Sequence, residues 1–287
     1  MQSGLAQLGA RRFELLPFES AESAVSRVAR PLTLTVTCSP RHGNDHTIDV
    51  ARRLRERGHT VVVHLAARMV RGPEHLDELL ARMAGARLDH VFLVGGDATE
   101  PLGPYESALE LLPALSSHAH APSTVGVAAY PEGHPHIDDS TLLDALRRKN
   151  VRADYMVTQL CFDPQIVVGW LSGVREAGVS LPVYVGVPGV VDRRRLLELS
   201  LRVGVGTSVS FIRKQRGVRV FARRGPGAAG ALVDAIGPLA GGESGIAGLH
   251  FFTFNRLAET VRFADERFGG QSAQPPRLAD RGSASIT

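Results

Sequence analysis

The chain has 287 residues, a net charge of +4 and 44% apolar residues, which bounds it to one large domain or two small ones with a sizeable core. No run reaches the 18 or so apolar residues that a membrane-spanning helix needs, and no hydrophobic signal core follows a charged start, so the expectation is a soluble, cytoplasmic protein. The modest basic excess is not arranged as a stripe interleaved with stacking aromatics, which argues against nucleic acid and suits a small anionic substrate or coenzyme.

In chain order, eight short apolar, β-branched runs read as strands: residues 12–16, 32–38, 61–65, 91–95, 125–130, 155–162, 183–187 and 249–254. Amphipathic segments of helical length separate them, clearest at 48–55, 76–83 and 257–263, where one apolar stripe faces in and charges face out. The βαβα alternation predicts a parallel sheet, and eight units in a chain of this length predict a (β/α)8 TIM barrel. An open doubly wound sheet is the alternative, though it ordinarily uses fewer strands. The seventh unit is the least regular: 192–203 reads as a helix and 204–245 holds another, so an extra helix is expected there. No Pro/Ser-rich linker divides the pattern, so residues 1–268 are expected to form one barrel, with a flexible tail at 269–287.

The seventh unit also carries a basic cluster, Arg213, Lys214, Arg216, Arg219, Arg223 and Arg224, and the sequence Gly225-Pro226-Gly227-Ala228-Ala229-Gly230. That sequence matches G-x-G-x-x-G in form, with Val218–Phe221 as a candidate strand before it and Glu243 as a candidate acid after it. In a glycine-rich chain it reads instead as a helix entry. The arginines read as a solvated face or as contacts to coenzyme phosphates or a substrate carboxylate. Cys38 and Cys161 lack the spacing of a zinc site or a disulfide scaffold and read as buried or pocket-lining thiols. His134 and His136 have no third ligand at suitable spacing, so no metal is expected. His118 and His120 read as loop surface.

In a barrel the C-terminal ends of all strands converge on one face. Glu14, Thr37, His64, Asp97, Tyr130, Gln159 and Arg256 thereby become neighbours around one pocket. Two acids there, Glu14 and Asp97, suit acid/base chemistry around a cationic intermediate: a buried carboxyl can hold a proton near neutrality and donate it, while a hydrogen-bonded one stays anionic. The structural alternatives are a Glu14 carboxylate paired to an arginine inside the barrel and an Asp97 that caps a loop after Gly95-Gly96.

Phe13-Glu14-Leu15-Leu16-Pro17, Gly96-Asp97, Ala129-Tyr130-Pro131-Glu132-Gly133-His134-Pro135, Leu146-Arg147-Arg148-Lys149, Thr158-Gln159-Leu160-Cys161-Phe162-Asp163 and Phe252-Thr253-Phe254-Asn255-Arg256 follow one another in an order that resembles the methylenetetrahydrofolate reductases, over residues 11–268. The resemblance implies a (β/α)8 barrel that reduces 5,10-methylenetetrahydrofolate to 5-methyltetrahydrofolate, in most members through FAD reduced by NADH or NADPH. It implies that Glu14 is the general acid that protonates the departing nitrogen. Asp97 would hold the pterin and favour the iminium cation, and Gln159 would hydrogen-bond the pterin edge. It places Arg256 near substrate, with a salt bridge at a helix N-terminus as the alternative. Phe211 would line the folate or nicotinamide stack, with core packing as the alternative. Thr37, His64, Tyr130, His134, Arg148 and Lys149 remain as cofactor contacts.

The chain departs from the family where flavin is held. Gly95-Gly96-Asp97 stands where the family commonly has Arg-Gly-Asp, the stretch from Tyr130 to Lys149 looks shortened, and Leu142 and Ala145 stand where flavin-binding members place Asp and Asn. FAD needs many polar anchors, so the expectation is that FAD is absent and that NADH passes hydride directly to the folate, as in the flavin-independent actinobacterial members the pattern resembles. The alternatives are the same reduction through bound FAD, or a reduced-pterin barrel that transfers methyl groups or sequesters folate. The expected partners are the folate and the nicotinamide coenzyme; the oligomeric state and the choice of NADH or NADPH are not set.

Overall fold

The computed structural model describes residues 10–18, 20–161, 163–190, 227–239 and 244–269. Eight parallel strands close into a barrel in sequence order. They are β1 (Ala10–Leu15), β2 (Thr33–Val36), β3 (Thr60–Ala66), β4 (His90–Val94), β5 (Thr124–Ala129), β6 (Tyr155–Thr158), β7 (Val183–Pro188) and β8 (Ile246–Phe252), with β8 pairing back onto β1. The described helices are α1 (Ser20–Val25), α2 (Gly43–Glu56), α3 (Pro73–Gly85), α4 (Ala108–Ser116), α5 (Asp139–Lys149), α6 (Pro164–Glu176), α7 (Gly227–Ile236) and α8 (Leu257–Phe268). This is the (β/α)8 barrel that the alternating pattern predicts.

Residue alternation sorts each strand between two cores. Phe13, Leu15, Leu34, Val36, Val63 and Phe251 face outward into the layer between sheet and helices, and all are fully buried. Ala10, Val62, Phe92, Tyr155, Val157 and Tyr184 form a second cluster inside the barrel. On β1 the intervening inward positions are Arg12 and Glu14. The Arg12 guanidinium lies between the rings of Tyr155 and Tyr184, 3.9 and 3.8 Å from their centroids. Such a cation–π sandwich replaces part of the lost hydration of a buried charge. The Tyr155 hydroxyl also meets His90 Nε2 at 3.0 Å. Gly126 makes room for that ring, since a Cβ there would lie 2.1 Å from Tyr155 Cζ.

The strand limits differ from the sequence reading most at β6 and β8. β6 stops at Thr158 and not at 162, because Leu160 N turns to the Oε1 of Gln159 (2.8 Å) and leaves the ladder. β8 begins at Ile246, three residues before the apolar run, through a glycine that brings the chains close: a Cβ on Gly248 would lie 2.1 Å from Ala10 O. It ends before Phe254 and Asn255, both left-handed at φ 50° and 63°. Of the helices expected between β7 and β8, α7 falls in the later segment and begins at Gly227, within the glycine-rich sequence. The 192–203 segment, the basic cluster, the 218–221 strand, Glu243 and the tail beyond Gly269 lie outside the described residues. Among the described residues no helix is long and apolar enough to cross a membrane.

Candidate active site

Glu14 sits on β1 opposite Thr35 of β2 and Phe252 of β8, with its carboxyl inside the barrel. Its Oε2 is 3.1 Å from His250 Nε2 and 3.9 Å from His64 Nε2. The side chains of His64 and His250 are 8% and 1% exposed, and that of Glu14 is 13% exposed. Phe92 packs at 4.7 Å from the His64 ring, and Phe252 meets the His250 ring edge-on at 5.0 Å. Burial, reinforced by His250, pushes the His64 pKa well below its ordinary value, so His64 is neutral at neutral pH. Thr35 Oγ1, His64 Nε2 and His250 Nδ1 are buried without a hydrogen-bond partner among the described residues.

The loop after β8 holds the backbone of the same strand end. Thr253 Oγ1 donates to Glu14 O at 2.5 Å, and the Asn255 side chain accepts from Leu16 N (2.9 Å) and donates to Leu16 O (3.2 Å). The left-handed backbone at Phe254 and Asn255 lets that amide turn back; asparagine tolerates this conformation better than most residues, phenylalanine does not, and such strain concentrates at functional sites. Thr37, just past β2, donates its N–H to Leu15 O (3.0 Å), so the β1 end is held from both flanks.

A second group lies on the rim. Asp97 is exposed and follows Gly96, whose left-handed φ of 94° and close approach to Ala66 leave no room for a side chain. Its charge acts on Cys38, Tyr130 and His134, which places the ends of β2, β4 and β5 around it. Tyr130 and His134 meet edge-to-face at 5.1 Å. Burial, then Asp97, raises the Tyr130 pKa. Burial and His136 lower that of His134, against the opposing pull of Asp97. Gln159, part-buried after β6, offers its Oε1 to Leu160 N.

The thiols match the sequence reading. Cys38 donates to Asn44 Oδ1 (3.3 Å) beside Met69, and burial pushes its pKa up to about 11; Cys161, buried at the end of β6, is raised as well. Neither is a thiolate at neutral pH. No group of three or more His, Cys, Asp or Glu suited to a metal occurs among the described residues.

Other positions named from sequence have partners of their own. Arg256 caps α8 and pairs with Glu259 at 3.3 Å, the salt bridge at a helix N-terminus. Arg148 and Lys149 occupy the last turn of α5, next to Asn150, whose Oδ1 accepts from Ser180 N in the segment leading into β7. The structure therefore puts them at the helix end where the chain returns toward the strand starts. Arg148 is exposed and 3.8 Å from Asp144, and burial lowers the Lys149 pKa. Phe211 lies outside the described residues. His118, read as loop surface, is instead mostly covered and 3.1 Å from Asp77. The partner of Glu14 is not an arginine, since Arg12 is taken by the two tyrosines. Sequence reasoning missed His250, Thr253 and Asn255; the signal available was a histidine in an otherwise apolar strand.

The profile described as methylenetetrahydrofolate reductase matches residues 18–266, most of the chain, starting just after Glu14. The chain belongs to the methylenetetrahydrofolate reductase family. Methylenetetrahydrofolate reductase 1 of Schizosaccharomyces pombe is 26% identical over 234 residues, 75% of this chain and 36% of that protein. Methylenetetrahydrofolate reductase (NADH) 1 of Arabidopsis thaliana is 23% identical over 145 residues, 44% of this chain and 24% of that protein. The chain thus spans about a third or less of the length of these family members. Among solved structures, a GH18 chitinase from Cycas revoluta in complex with (GlcNAc)3 matches with a TM-score of 0.50 at 10% identity, covering 91% of this chain and all of that one; the likeness is of fold.

Proposed function

We propose that the protein is a cytoplasmic enzyme that reduces 5,10-methylenetetrahydrofolate to 5-methyltetrahydrofolate, taking hydride directly from NADH. The observation that carries this reading is the placement of Glu14: a carboxyl at the C-terminal end of β1, inside a barrel of this family, nearly out of solvent and held by His250. Opening the substrate's five-membered ring needs a proton on the departing nitrogen and leaves an iminium carbon that accepts hydride. Glu14 supplies the proton. Asp97 favours the cation and holds the pterin, with Gln159 beside it.

The loss of several family flavin anchors supports a reading without bound FAD. At Gly95 a Cβ would meet nothing within 4 Å, so open space stands where the family has its arginine. Leu142 and Ala145 bring no polar group, and Arg148 faces Asp144. A large ligand deprived of several anchors together binds weakly. The nicotinamide would then take the place of the flavin ring, and direct transfer would require its C4 about 3–3.5 Å from the iminium carbon. The NADH named in the Arabidopsis relative's description agrees with this donor.

The test is NADH oxidation by flavin-stripped protein, with and without methylenetetrahydrofolate. Turnover without added FAD is expected, with sequential kinetics and with deuteride from the coenzyme appearing in the product methyl group. An absolute requirement for FAD, or ping-pong kinetics, would place an electron carrier on the protein.

A further inference from the structure

Inside the barrel, Glu14 is the one acid among the described inward residues, and among those residues one side-chain hydrogen bond holds it. The group on the other end of that bond is the buried imidazole of His250, two ladder positions from the Phe252 that pairs with Glu14. We propose that His250 is a positioning residue for the acid: it donates its Nε2–H to Glu14 Oε2 and thereby leaves Oε1 as the oxygen that carries and delivers the proton. The inference rests on the reading of Glu14 as the general acid.

The argument starts from the imidazole's two nitrogens. Nε2 faces Oε2 at 3.1 Å, while Nδ1 is buried and meets no partner among the described residues. A hydrogen on Nδ1 would be a buried donor with nothing to receive it, which is among the rarest arrangements in folded proteins. A hydrogen on Nε2 has an acceptor in line. With Oε2 accepting from Nε2–H, the hydrogen of a protonated Glu14 belongs on Oε1, because the carbonyl oxygen of a carboxylic acid is a stronger acceptor than its hydroxyl oxygen.

Proton bookkeeping is then simple. The Oε1–H bond breaks, an N–H bond forms on the substrate nitrogen, and the carboxylate that remains keeps its Oε2 bond to His250, now a charge-assisted one. His250 retains its proton throughout, and a solvent proton restores Oε1 before the next turnover. Among the described residues, the other charged or titratable groups facing this carboxyl are His64 from β3, neutral and 3.9 Å away, and Arg12, one inward position earlier on β1 and committed to Tyr155 and Tyr184. Neither is placed to bond Oε2 in place of His250. Thr35, across the ladder on β2, presents a hydroxyl without a partner and no charge.

Two substitutions separate this role from simple packing. The amide nitrogen of glutamine reaches the place of ring Nε2, whereas that of asparagine reaches only the place of Nδ1. His250→Asn is expected to lower kcat by about 10- to 100-fold with the folate KM within about threefold, and His250→Gln to recover most of that loss. Added to Glu14→Gln, which has no proton to deliver, His250→Asn should cost little more. Equal losses in the Gln and Asn variants, or losses that add in full to Glu14→Gln, would overturn the proposal. Folding does not limit the test, because the ring ¹⁵N shifts of His250 in the unsubstituted protein report which nitrogen bears hydrogen: Nε2 is expected, and Nδ1 would overturn it. Near-normal turnover in Glu14→Gln would instead remove the acid reading, while the ring assignment would still report on the bond itself.

Discussion

Glu14 and Asp97 are both carboxyl groups near one pocket, yet their surroundings separate their work. The first is inside the barrel and bonded to an imidazole; the second is exposed on a glycine-bent loop, where its charge acts on Cys38, Tyr130 and His134. Glu14→Gln keeps size and hydrogen bonding but loses the transferable proton, so kcat should fall by on the order of 10² with little change in folate affinity. Asp97→Asn removes charge that already favours the cation in the bound complex, and should weaken both binding and turnover. Steady-state kinetics of the two variants check this: a shared pattern of loss would mean the two carboxyls do not have separate roles. Glu14 was legible from sequence because the motif around it is local. His250 was not, because it lies in an apolar run 236 residues away, and only the closure of β8 onto β1 makes them partners.

At the level of elements, the eight strands were legible because parallel strands covered on both faces leave continuous β-branched runs. Their ends were less so. β6 is stopped by a side chain that competes for one backbone N–H, and β8 starts in Ile246-Ala247-Gly248, where glycine signals close packing rather than strand propensity. Arg148 and Lys149 were placed by motif alone; the structure shows them in the last turn of α5, beside the Asn150 that bonds Ser180. The close fit between β5 and β6 gives a direct prediction. Gly126→Ala would drive a methyl group into the Tyr155 ring, which is held by Arg12 on its face and His90 at its hydroxyl and has no easy way to move. A loss of about 1–3 kcal/mol is expected, measured as a lower urea midpoint at unchanged m-value. An unchanged midpoint would mean that the ring is freer than its contacts imply.

For the whole molecule, the buried histidines set how stability responds to acid. Burial, with Arg12 nearby, pushes the His90 pKa down to about 3, and His64 is lowered as well. Their unfolded counterparts titrate near the ordinary value of 6.5. Between about 6.5 and 3 the unfolded chain therefore binds more protons than the folded one, so stability is full above that window and is lost as the pH falls through it. Each such histidine contributes a slope of at most about 1.4 kcal/mol per pH unit. Urea midpoints measured at pH 7.5 and 5 should fall in the unsubstituted protein. The fall should be shallower in His90→Gln, which cannot be protonated; identical pH dependence in the two would show that His90 takes up its proton without unfolding.

The joint between β1 and β8 also orders events in time. Glu14 emerges from the ribosome with the first strand of the barrel, while Thr253, Asn255 and His250, which hold its backbone and its carboxyl, are among the last residues of the barrel to appear. A nascent chain halted before Ile246 would carry its acid without a mount, and its barrel would be open along one seam. Competence for proton delivery is thus a late event that coincides with sealing of the ring, and a nick or truncation between β7 and β8 would silence a group on β1.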